Sequence, residues 1–68
     1  MNPIRIDPEI MSCMPCFAGT RVPIKNFFDY LEEGESVEEF LIDFPTVSRE
    51  QVMALIELAK SRVLPDAA

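Results

Sequence analysis

The stretch Pro15-Cys16-Phe17-Ala18-Gly19-Thr20-Arg21-Val22-Pro23 limits this chain most. Proline lacks an N–H and fixes φ, so neither end of the stretch can lie inside a helix or a central strand. Glycine tolerates positive φ, which makes Gly19-Thr20 the expected bend. Cys16-Phe17 and Arg21-Val22 flank it as extended segments that can pair across it. So little sheet does not stand alone. The arm is therefore expected to pack on the helices C-terminal to it, or to pair with the same arm of a second subunit. Upstream, Pro3-Ile4-Arg5-Ile6 alternates apolar and polar residues like a short strand, which Asp7-Pro8 ends. Residues 9–15 read as loop.

The rest of the chain reads as helices with explicit stops. Helix 1 is expected from about Ile24 to Glu33, opened by Pro23 and capped by Gly34. Ile24, Phe27, Phe28 and Leu31 make one apolar stripe. Ser36-Val37-Glu38-Glu39 has the form of a capping box for helix 2, whose stripe is Val37, Phe40, Leu41 and Phe44. Pro45 stops it. Ser48-Arg49-Glu50-Gln51 is a second capping box and opens helix 3, with Val52, Leu55, Ile56, Ala59 and Val63 inward. Residues 65–68 form a short tail. The predicted class is mainly α: a short β arm, residues 1–23, followed by a tri-helical, helix-turn-helix-like core over 24–63. The chain makes one domain.

Length and charge narrow the function. Sixty-eight residues with 49% apolar composition give a marginal monomer with more apolar surface than it can hide, so a homodimer or a stable partner is expected. The longest apolar run, Val52 to Ile56, is too short to span a bilayer. Arg5, Asp7 and Glu9 do not suit a signal peptide, which makes the cytoplasm the expected location. The net charge of −6 is segregated. Residues 26–47 hold seven acids and no base, whereas residues 1–25 and 48–63 are each mildly basic. An acidic middle suits a basic protein partner at least as well as the flanks suit nucleic acid.

Candidate sites follow from that split. DNA contacts are expected from Arg49, Met53 and Lys60 on one flank of helix 3, joined by Arg5, Arg21 and Lys25. The alternative role for Arg21 is bracing the bend through backbone carbonyls. The outermost positions of helix 3 are Glu50, Ala54, Glu57 and Ser61, and two carboxylates there repel phosphate. The other flank holds Gln51, Leu58 and Arg62. A partner surface is expected at Glu32, Glu33, Glu38, Glu39 and Asp43. Cys13-Met14-Pro15-Cys16 reads as two reduced thiols. A redox pair would need a βαβ setting, and zinc would need two further ligands that only a symmetric dimer supplies. With no His and no nucleophile beside a base, no catalytic constellation is visible, so no enzyme, metal or cofactor is expected.

Taken in order, these features resemble a known family. The run I-x-x-x-P-x-I from Ile4, the Pro15–Pro23 stretch, Glu32-Glu33-Gly34, S-x-E-E-x-L-x-D-F-P from Ser36 and S-R-E-Q-V from Ser48 are similar to the domain of unknown function 433. The resemblance covers residues 4 to about 60. It implies a β arm before a helix-turn-helix-like core, and an antitoxin role toward a PIN-like ribonuclease with possible operator binding as a dimer. The alternative function is a DNA-binding regulator without a toxin. The family usually has Gly-Lys-Pro where this chain has Cys13-Met14-Pro15, which removes a basic charge from the arm.

Overall fold

A computed structural model of the chain describes residues 2–6 and 14–64. Five elements occur in order: β1 (Ile4–Arg5), β2 (Cys16–Phe17), α1 (Ile24–Glu32), α2 (Val37–Asp43) and α3 (Arg49–Val63). The chain is mainly helical, with a short antiparallel β arm ahead of three helices, as expected. The Asp7-Pro8 turn, Cys13 and the tail lie outside the described residues.

β1 pairs antiparallel with β2, placing Ile4 opposite Phe17 and Arg5 opposite Cys16. Pairing across the bend is present but slighter. The Phe17 N–H donates to the Val22 carbonyl at 2.9 Å, and Cys16 bridges to Pro23. The Ile24 N–H returns a bond to the Pro15 carbonyl at 2.9 Å, and the ladder stops there because Ile24 opens α1. β2 is thus the centre of the arm, with β1 on one side and residues 22–23 on the other.

The bend is held by Thr20. Its hydroxyl donates to the Phe17 carbonyl at 2.9 Å and accepts from the Val22 N–H at 3.0 Å. Gly19 sits at φ +77°, as the bend requires. Arg21 is exposed, and among the described residues its guanidinium bonds to no carbonyl of the bend. A short hydroxyl beside the turn reaches both backbone groups.

Phe17, Ile24, Phe27, Phe40, Val47, Val52 and Leu55 form the core. Full burial of such side chains contributes about 1.5–3 kcal/mol each. Phe40 is its hub, with ring centroids 5.1 Å from Phe27, 5.8 Å from Phe17, 5.4 Å from Tyr30 and 4.9 Å from Phe44. The expected stripe of α2 packs on this cluster. That of α1 is rotated: Ile24 and Phe27 are buried and Tyr30 packs on the core, while Phe28 and Leu31 are exposed. Tyr30 takes their place, its ring 5.4 Å from that of Phe40 and 5.6 Å from that of Phe44, with its hydroxyl bonded to Asp43. Val63 is also exposed, because α3 outruns the core it packs on.

The helix ends obey the expected chemistry with one difference. At the end of α1 the Glu35 N–H donates to the Tyr30 carbonyl and the Gly34 N–H to that of Leu31, with Gly34 at φ +84°. This is a Schellman motif. At Ser48 both halves of the capping box form. At Ser36 only the half from the Glu39 N–H to the serine hydroxyl is present, at 3.1 Å. Among the described residues, no helix is long and apolar enough to cross a membrane.

Candidate functional site

The acidic surface is built by two helix ends facing one link. Glu32 closes α1, Glu33 caps it, and Glu35 comes directly after Gly34; Glu38 and Glu39 occupy the first turn of α2. All five are exposed. Their electrostatic settings differ. Glu38 and Glu39 lie at the positive end of the α2 dipole, which favours them. Glu32 and Glu33 lie at the negative end of α1, whose last turn carries no basic residue. Negative charge is thus stacked on negative potential there, with Lys25 at the other end of α1 the base that acts on Glu32.

Two of the five predicted partner-binding acids are already engaged. Glu38 pairs with Arg49 across the α2–α3 corner. That hydrogen bond and the adjacent charge hold the Glu38 carboxyl below its usual range and raise the Arg49 pKa. Asp43 Oδ2 accepts the Tyr30 hydroxyl at 2.7 Å, and this bond is the main reason the phenol is pushed up to about 12. Among the described residues, Glu32, Glu33 and Glu39 have no ion-pair partner.

The predicted DNA contacts divide by element. Arg49, Met53 and Lys60 share one flank of α3, as their spacing requires. Met53 is 47% exposed and Lys60 is exposed, but Arg49 is spent on Glu38. Lys25 pairs with Asp29 at 2.7 Å one turn along α1, and that bond raises its pKa. Arg5 is exposed on β1 and Arg21 is exposed beyond the bend. The surface of α3 directed outward includes Glu50 and Glu57 beside these bases.

The other flank of α3 meets the arm. Gln51 Nε2 donates to the Ala18 carbonyl at 2.7 Å. Asn2, Pro3, Ala54, Glu57, Leu58 and Arg62 line an open groove between arm and helix. Sequence reasoning placed Gln51 in a capping box but not against the arm, and no periodicity signals such a tie. Cys16 is buried, its thiol 3.5 Å from the Met14 carbonyl. Among the described residues no three Cys, Asp or Glu side chains gather as a metal-binding group.

The sequence pattern of a family described as a protein of unknown function, DUF433, matches residues 4–59. The chain belongs to that family. No curated protein and no solved structure matches it.

Proposed function

We propose that this protein is a non-enzymatic, antitoxin-like module of the cytoplasm that masks a basic partner. The family resemblance makes a PIN-like ribonuclease the candidate partner. The observation that carries the reading is the stacking of Glu32 and Glu33 on the carboxyl end of α1 with no base in that turn. Charge placed against its own helix dipole lowers the cost of receiving a cationic surface. Affinity capture from the host, read by mass spectrometry, tests it. A small nuclease should be recovered by the wild type and lost from Glu32→Lys/Glu33→Lys. Recovery of no protein, or a nuclease held equally by both, would sink the reading.

The second reading is a DNA-binding regulator, favoured by the exposure of Met53 and Lys60 on one flank of α3 after a short link from α2. Operator binding should then fall steeply with salt and fail in Lys60→Ala. Lys60→Ala separates the two readings, since it removes an exposed base from the α3 flank and leaves the acidic side unchanged.

A further inference from the structure

We propose that the groove between the N-terminal arm and α3 is a homodimer interface, in which two copies lay α3 antiparallel so that Glu57 of each meets Arg62 of the other. The groove holds about 520 Å³ and is lined by Asn2, Pro3, Ala54, Glu57, Leu58 and Arg62. Ala54, Leu58 and Arg62 recur at i, i+4 and i+8, so they form one row along the helix, with Glu57 beside it. Its floor is apolar: Pro3 is buried, and Ala54 and Leu58 are half-buried. Its two charges are of opposite sign, both exposed, and among the described residues neither has an ion-pair partner.

That pattern is self-complementary. A two-fold axis places the same patch on both sides, so each contact occurs twice. With Leu58 near the axis of an antiparallel pair, Arg62 falls opposite the second copy's Ala54. The small Ala54 side chain leaves room for the arginine stem, and the guanidinium reaches Glu57 one turn away. Both ion pairs then form at once, around two leucines. An unrelated partner would need the opposite order of charges, whereas a second copy supplies it by symmetry.

The arm enters this interface as a wall, not as an added strand. The outward N–H of Ile4 is occupied by Asn2 Oδ1 at 3.1 Å, which blunts the edge of β1. Strand pairing between arms, one of the two expected roles of the arm, is disfavoured by that cap, while Asn2 and Pro3 still flank the groove.

Sedimentation of the full chain over rising concentration at low salt tests the proposal, with Glu57→Arg, Arg62→Glu and the double exchange compared. Both positions are exposed on a helix, and circular dichroism verifies that each variant stays folded. The wild type should dimerise. Each single reversal puts like charges together twice and should weaken dimerisation about tenfold or more. The double exchange restores opposite charges and should return the dimer to within about threefold of wild type. A wild type that stays monomeric, single reversals that dimerise unchanged, or a folded double exchange that does not recover would each overturn it.

Discussion

Gln51 and Ala18, thirty-three residues apart, are joined by one hydrogen bond of 2.7 Å that ties the first turn of α3 to the β arm. The same amide closes the capping box, its Oε1 accepting from the Ser48 N–H at 3.0 Å. One side chain therefore starts a helix with its oxygen and fixes the arm with its nitrogen. Gln51→Glu keeps an acceptor for the cap but loses the donor and faces a carbonyl with an anion. It should cost about 1–2 kcal/mol in urea denaturation. Amide exchange at Ala18 and Ile4 should speed up, because the arm opens locally before the helices do. A variant as stable as wild type would show that the tie is unimportant.

Arg49 and Gln51 illustrate how far a sequence discloses its own contacts. The arm, the Gly19 bend and the three helices were legible because prolines, glycines and capping serines act within a few residues. The α2 stripe was legible because every member packs inward. The α1 stripe was misread at Phe28 and Leu31, because the rotation of a helix is set by tertiary packing, here of Tyr30 on the Phe40 and Phe44 rings, which no local period records. Val47, buried at 3% exposure in the α2–α3 link, carries no periodic signal. The charged candidates fared similarly. Their types were visible, but not that Arg49 and Glu38, assigned to opposing surfaces, hold one another.

Phe40 should be the position least tolerant of truncation. It is fully buried and touches four aromatic rings from the arm and both short helices. Phe40→Ala removes about 3–5 kcal/mol, comparable with the whole stability of a chain this small. The far-ultraviolet helical signal should be largely lost at 25 °C. Phe40→Leu keeps more volume and should remain folded with a lowered Tm. A Phe40→Ala variant that melts cooperatively near the wild-type Tm would contradict the packing described.

Gly34 tests backbone conformation without packing. A Cβ there would meet nothing within 4 Å, yet its φ is +84°. Gly34→Ala should therefore cost about 1 kcal/mol through strain alone, and Gly34→Asn less, because asparagine enters the left-handed region more readily. Equal stability of all three proteins would mean that α1 ends without the Schellman turn. The comparison also bears on the acidic surface, since this turn sets Glu33 and Glu35 on either side of the link.

Tyr30 and Asp43 give the prediction most easily read, because Tyr30 is the only tyrosine and the chain has no tryptophan. The hydrogen bond to Asp43, followed by partial burial and the nearby acids, raises the phenol to about 12 from an ordinary 10. Raising an acid's pKa means that folding favours its neutral form. The stabilisation is thus fully present below pH 10 and is lost as pH rises from 10 through 12. Absorbance at 295 nm should show a wild-type midpoint well above 10, and Asp43→Ala should bring it back toward 10. The same substitution removes only the hydroxyl's partner and should leave helix content near wild type, since the Tyr30 ring still packs on Phe40 and Phe44. A midpoint near 10 in the wild type would mean that the hydroxyl faces water and that Asp43 does not hold it.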